Sequence, residues 1–168
     1  MGTGAIEVQF GSSAGGLYLA FGGEATRQVC PTVDRLVTDF LSANREKARI
    51  FLDLRDADWI DSTFAGWMLR VRKQLAQGDE SGVFITGCGE RCQETLHTMR
   101  LTALIERSDV PRPDQMSKLV FELGAKPDRA AIELMARAHE ELATVNEENH
   151  RLFAPIAALL RAELAQGD

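Results

Sequence analysis

A buried strand that leads directly into a helix constrains the fold of this chain more than any other feature. Residues 50–54 form a short apolar run bounded by charged residues, which is typical of a strand covered on both faces of a parallel sheet. An acidic stretch with Asp56 and Asp58 follows, and we predict a loop there. A helix is predicted to begin at once after this loop, so that the hydroxyl groups of Ser62 and Thr63 lie at its N-terminus.

Apolar periodicity predicts the remaining elements of the first two thirds of the chain. One helix is predicted around the apolar positions 33–41, with Pro31 in its first turn. A second helix is predicted over residues 62–77, ended by Gly78 and Asp79. A third is predicted after the turn at residues 87–89, with Leu96, Met99 and Leu101 inward. Strands are predicted at 5–10, 17–21, 50–54 and 83–86, with a hairpin turn at 11–16. A short strand or docking segment is predicted at 104–105, a stiff loop at 110–113 and an edge strand at 119–123.

The order β, β, α, β, α, β, α favours a layered α/β domain. Its sheet is expected to be mixed, with the helices mainly on one face because only three helices are available. Gly124 and Pro127 mark a boundary, and we therefore predict one domain over residues 1–124 and a C-terminal helical extension over 125–168.

The extension carries apolar residues in alternating steps of four and three over about four heptads, which is typical of a coiled coil. Asn149 takes one of the inward positions, where a buried amide can fix the register of two helices. Pro155 lies inside the pattern and is expected to kink or restart a helix. A helical hairpin accounts for the pattern and for Pro155, and it can fold either onto a partner, as in a homodimer formed through these helices, or onto its own subunit.

Composition narrows the classes of partner. The chain has 168 residues, a net charge of -6 and 45% hydrophobic residues, so it can bury a substantial core but presents no basic stripe for nucleic acid. No apolar run reaches the roughly 18 residues that a membrane span needs. The N-terminus lacks the pattern of a signal peptide, and three cysteines form no disulfide framework. We predict a cytoplasmic protein that binds neither nucleic acid nor membrane.

Few residue patterns indicate catalysis or metal binding. Cys88 and Cys92 are a single pair, whereas zinc sites usually combine two pairs of ligands. The carboxylates of Asp53, Asp56, Asp58 and Asp61 are consistent with a solvated loop, or with a magnesium or acid–base site in an enzyme. His97, His139 and His150 are scattered along the chain. We predict no catalytic residue, no metal and no cofactor.

Ser62 and Thr63 allow two interpretations. A hydroxyl before the first helical turn is a common N-cap, but only one residue can be the cap. A helix N-terminus also tolerates added negative charge, so a hydroxyl there is suited to carry a phosphate that a partner protein senses. Trp59 and Trp67 flank this turn, and whichever is exposed is a candidate anchor for a partner.

These motifs resemble the STAS domain of the bacterial anti-sigma-factor antagonists. The strand with Leu-Asp-Leu at 52–54 is followed by Trp-Ile-Asp-Ser-Thr-Phe-Ala at 59–65, and this step is similar to the apolar-Asp-Ser/Thr-Ser/Thr-Gly/Ala step of that family. Gly23-Glu24 before the first helix, and Gly87 after a buried strand, match further steps of the family pattern. The resemblance covers roughly residues 5–108.

The resemblance implies a protein-binding regulatory module that is not an enzyme. It implies that Ser62 is phosphorylated by a serine kinase that is also the anti-sigma factor, and that phosphorylation switches partners. Asp61, Ser62, Thr63 and Trp59 are then expected to form the partner surface, together with Thr26, which stands where the family often has an acid. The alternative is a scaffold or sensor subunit that is not phosphorylated and assembles through its C-terminal helices.

Overall fold

The structure, a computed structural model, describes residues 6–44, 46–75, 81–121, 124 and 126–167. It contains six strands and five helices in that part of the chain. In chain order they are β1 (Glu7–Ser13), β2 (Gly16–Ala25), α1 (Cys30–Ala43), β3 (Arg49–Ile60), α2 (Ser62–Leu75), β4 (Gly82–Cys88), α3 (Glu90–Thr98), β5 (Glu106–Arg107), β6 (Ser117–Lys118), α4 (Arg129–Ala143) and α5 (Glu147–Gln166).

All six strands form one mixed sheet in the order β5-β4-β3-β2-β1-β6. β2, β3, β4 and β5 are parallel to one another, whereas β1 is antiparallel to β2 and to β6. The β1–β2 hairpin turns at Ala14 and Gly15, which both have positive φ, as the two-residue turns that match strand twist require. The predicted mixed sheet is therefore confirmed, with a tighter turn than residues 11–16.

β3 is much longer than predicted, and the prediction of an acidic loop around Asp56 and Asp58 is wrong. The strand continues from Leu54 to Ile60 because β2 also continues and pairs with it, from Gly22 opposite Asp56 to Ala25 opposite Ile60. The register shifts within this segment, and Gly23 has the positive φ that an irregular strand position often requires. Asp56 and Asp58 are exposed strand residues, so their charge does not interrupt the pairing.

The two faces of the sheet are covered differently. Leu19, Leu52 and Ile85 belong to the main core, to which α1, α2 and α3 contribute their apolar residues. On the opposite face Tyr18 and Phe51 form a smaller cluster, against which Phe84 and apolar residues of the segment before β6, Val110 and Met116, pack. Helices mainly on one face were predicted. The other face is covered by irregular chain, residues 108–116, which we call the strap.

Asp53 anchors the strap to the sheet. Its buried carboxylate accepts hydrogen bonds from the Tyr18 hydroxyl at 2.8 Å, from Arg55 at 2.7 and 3.0 Å, and from Arg112 of the strap at 2.9 and 3.0 Å. Burial by itself raises the pKa of the Asp53 carboxyl, but the bonds from Arg55, Tyr18 and Arg112 outweigh it and hold that pKa well below its usual range. A charge in the smaller core is thus fully paired.

The C-terminal extension is a helical hairpin, and the continuous heptad seam is not formed. The chain turns at Thr144-Val145-Asn146, where Asn146 caps α5 through a bond from the Asn149 N–H. α5 is continuous through Pro155, so the predicted restart of the helix does not occur; the side chain of Pro155 lies on the exposed side of the helix. The amide of Asn149 donates to the Met99 carbonyl at 2.9 Å, so it joins α5 to the end of α3.

α4 packs within the same chain. Leu134 and Leu142 of α4, and Phe153 of α5, belong to the main core. The division of the chain at residue 124 remains a prediction, since both parts share that core. No helix in the described ranges is long and apolar enough to cross a membrane.

Several other predicted elements shift slightly. The edge strand predicted at 119–123 is β6, two residues earlier, and β5 follows the segment predicted at 104–105. The predicted ends of the α2 helix at 76–79, and of that edge strand at 122–123, lie outside the described residues.

Asp53→Asn is expected to lower the free energy of unfolding at pH 7 by about 2 kcal/mol, because it removes the buried charge that pairs both arginines. The folded pKa lies below the unfolded value of about 3.9. The stabilisation is therefore complete above about pH 4 and is lost as the pH falls through the folded pKa. Urea unfolding of both proteins between pH 7 and pH 2 should give curves that converge in acid.

Asp56→Asn is the matched control. The Asp56 side chain is 66% exposed, and within the described part of the chain its one side-chain bond is with Arg112 of the strap, at 3.0 Å. We therefore expect a loss of stability below about 0.5 kcal/mol. Equal losses in the two variants would contradict the role given to Asp53.

Candidate functional site

The site lies where β3 ends and α2 begins, and Asp61 organises it. One carboxylate oxygen accepts the Phe64 N–H at 2.8 Å and thereby caps α2, while the other accepts the Arg27 N–H at 2.9 Å from the loop before α1. Asp61 is therefore the N-cap of the helix, and the hydroxyls of Ser62 and Thr63 are not needed for capping. Burial raises the pKa of the Asp61 carboxyl, and the two N–H groups oppose that rise.

Ser62 is the first residue of α2 and is half-buried. Its hydroxyl lies 2.9 Å from Nε2 of His139, a residue of α4 that is only 4% exposed. Nδ1 of the same ring lies 2.7 Å from the Met135 carbonyl, which only accepts, so Nδ1 carries a proton. In the neutral ring Nε2 is then the acceptor, and the Ser62 hydroxyl donates to it.

The other predicted contact residues are divided between surface and interior. Trp59 is 37% exposed beside the site, whereas Trp67 is buried and donates to Asp34 of α1 at 2.9 Å. Thr63 is buried, and Thr26 is only 6% exposed. The side chain of Thr26 is therefore no surface contact, and the exposed residue at this end of α1 is its neighbour Arg27.

α4 crosses directly over α2. Gly66 lies so close to the backbone of Ala138 that an added Cβ would collide with it. Further along α2, Lys73 donates to the Thr144 hydroxyl at 3.0 Å and forms an ion pair with Glu141. The C-terminal hairpin thus contacts the helix that carries Ser62 both at its start and near its end.

His139 is the residue that the sequence analysis missed at this site. It was seen only as one of three scattered histidines, 77 positions after Ser62. The available signal was its place next to Ala138 on the apolar side of a predicted amphipathic helix, where a polar residue needs a partner. The identity of that partner depends on how α4 packs, which the pattern along the chain does not contain.

The remaining candidate groups do not converge on a pocket. Asp53 is bonded to arginines on the far face of the sheet, and Asp61 is used as a cap. Within the described residues no three His, Cys, Asp or Glu side chains form a cluster suited to a metal. Cys92 is buried as a core residue, and its thiol donates to the Ala57 carbonyl at 3.7 Å. Cys88 is half-buried, and the neighbouring Cys92 thiol lowers the pKa of the Cys88 thiol.

Comparison with known proteins supports the fold. The chain matches no family model and no curated protein. Among solved structures it is similar to a crystal structure of an anti-sigma factor antagonist from Mycobacterium paratuberculosis, with a TM-score of 0.53 and 15% sequence identity. The match covers 66% of this chain and 89% of that chain. The fold predicted from the Asp61-Ser62-Thr63 step is therefore confirmed, and about a third of this chain extends beyond the match.

Gly66→Ala is expected to destabilise the protein by about 1–3 kcal/mol, because the added methyl group forces α2 and α4 apart. The clash outweighs the gain in helix propensity of about 1 kcal/mol that the same change has in an exposed helix. Urea unfolding at neutral pH measures the difference.

Gly22→Ala, in β2, provides the control, since the nearest atom to an added Cβ is 3.7 Å away. We expect it to change stability by less than about 0.5 kcal/mol. A Gly66→Ala protein as stable as wild type would contradict the close packing of α4 on α2.

Proposed function

We propose that this chain is a protein-binding regulatory module that acts as an anti-sigma factor antagonist and changes partners when Ser62 is phosphorylated. The observation that carries the proposal is the position of the Ser62 hydroxyl. Ser62 is the first residue of α2, and its hydroxyl is not needed as the cap because Asp61 caps the helix. It occupies this position in a fold shared with an anti-sigma factor antagonist. The partner is a serine kinase that is also the anti-sigma factor, and both act in the bacterial cytoplasm.

The effect of the phosphate follows from charge. A phosphoserine carries about -1.5 to -2 charges at pH 7 and three strong acceptor oxygens. At the edge of a docking surface this charge is repelled by, or desolvated against, a partner that fits the neutral hydroxyl. Asp61 orients the turn, Thr63 supports it from the interior, and the exposed indole of Trp59 is the anchor for the partner. The chain needs no cofactor, because the nucleotide belongs to the kinase.

Mass spectrometry of the protein isolated from its own cells is expected to find phosphate in the peptide between Arg55 and Arg70, on Ser62. Ser62→Ala should abolish it. In binding assays with the serine kinase, Ser62→Ala should bind like the unphosphorylated wild type, and Ser62→Asp at least about tenfold more weakly.

Phosphate found on Thr63 instead would move the site by one residue. Equal affinity of wild type, Ser62→Ala and Ser62→Asp would contradict the switch itself.

A second candidate function is a scaffold or sensor subunit that assembles through α5. Leu152, Ile156 and Leu159 are exposed and recur at spacings of four and three, so they form one apolar stripe along the outer side of the hairpin. A second copy of the same stripe is a suitable cover for it, as in an antiparallel pair of helices.

Sedimentation of the full chain tests the scaffold function. A dimer that becomes monomeric in Leu159→Glu supports it, because this side chain is 72% exposed and the change leaves the core intact. Ala165→Glu is the control, since Ala165 is an exposed residue of α5 on another side of the helix from the stripe. A wild-type protein that is monomeric at all concentrations tested would contradict the scaffold function.

A further inference from the structure

α2 is buried on more than one side. Residues 63–69, seven in succession, are all buried, whereas a helix that packs on a sheet with one face exposes residues in every turn. The second cover is α4, which meets α2 at Gly66 through Ala138 and at Ser62 through His139. The start of α2 is therefore closed off by another part of the same chain.

The closed arrangement has no room for a phosphate between the two side chains. Ser62 Oγ and His139 Nε2 are at hydrogen-bond distance, 2.9 Å, and a phosphoryl group would add phosphorus and three oxygens at that oxygen. One outcome is that the group pushes His139, and with it α4, away from α2. The other is that the phosphoserine turns to solvent, which leaves Nε2 without its partner.

Both outcomes weaken closure of α4. His139 is almost fully buried, and a buried polar atom without a partner shifts an equilibrium by about tenfold or more. A phosphate that stays near the ring also approaches the half-buried Asp61 carboxylate, which repels it. The contacts of Asn149 with Met99 and of Arg100 with Glu148, at 3.1 Å, hold α5 near the end of α3 and involve neither Ser62 nor His139.

We propose that α4 is an internal cover over Ser62: closed α4 shields the hydroxyl from a kinase, and phosphate on Ser62 releases α4. This inference rests on the proposed function insofar as Ser62 is the site of phosphorylation. Linkage makes the coupling reciprocal, so the factor by which phosphate weakens closure is also the factor by which closure disfavours the phosphorylated state. His139 is the positioning residue that connects the two.

The test uses the full chain with phosphoserine installed at position 62 during translation. Hydrogen exchange followed by mass spectrometry compares it with the serine form. Amides of α4 are expected to exchange about tenfold faster in the phosphorylated chain, while those of β3 remain unchanged and show that the sheet is folded. Phosphoserine at position 42, an exposed residue of α1, carries the same charge elsewhere and should leave α4 unaffected.

Variants of His139 test the coupling. His139→Ala should speed exchange in α4 without phosphate, and phosphate on Ser62 should then add little, because the contact that it breaks is already absent. His139→Gln retains an acceptor and should keep α4 slow. A full additional effect of phosphate in His139→Ala would remove His139 from the coupling.

Exchange in α4 that is unchanged or slower in the phosphorylated chain would overturn the proposal; slower exchange means that the ring of His139 clamps the phosphate. Because the phosphate is installed and not transferred by a kinase, this result is independent of the proposed function. Absence of phosphate on Ser62 in the cell would remove that function and leave the coupling between the two groups measurable.

Discussion

The two hydrogen bonds accepted by the Asp61 carboxylate hold the whole site in place. One comes from the first turn of α2 and the other from the loop between β2 and α1, so a single side chain ends β3, starts α2 and ties two crossovers of the sheet together. The carboxylate also satisfies an N–H group that would otherwise lack a partner at the helix start. As a result the neighbouring Ser62 hydroxyl is left for another role.

Other elements pack around this turn on several sides. On one side of the sheet Phe64 packs edge-on against Phe21 at 5.0 Å between ring centres, and on the other side Asp53 and Arg112 fasten an irregular strap. Above the turn α4 adds a third layer. The Ser62 hydroxyl is packed against α4 through His139. A change in charge at Ser62 therefore acts first on the packing of α4.

Local sequence patterns predicted the helices and strands whose apolar residues recur regularly. The predictions from these patterns were wrong where strand pairing or helix packing between distant segments decided the structure. Periodicity identified α1, α2 and the buried strands, because their apolar residues recur at the spacing of the structure that they form. The charges of Asp56 and Asp58 suggested a loop, but backbone pairing with Gly22–Ala25 extends β3 through them. The heptad pattern likewise did not reveal the break between α4 and α5 at Thr144–Asn146. A short turn with the right spacing leaves the apolar residues in alternating steps of four and three.

By itself the sequence determined the α/β fold and the acid–hydroxyl step at residues 61–63, because both depend on residues close together in the chain. Which of the three side chains caps α2, and which partner meets Ser62, were decided only by the tertiary structure. Asp61 reaches the N–H of Arg27 because β2 and β3 are adjacent in the sheet, and His139 reaches Ser62 because Gly66 lets α4 approach the backbone of α2. Contacts between distant segments follow from packing geometry, which local patterns do not encode.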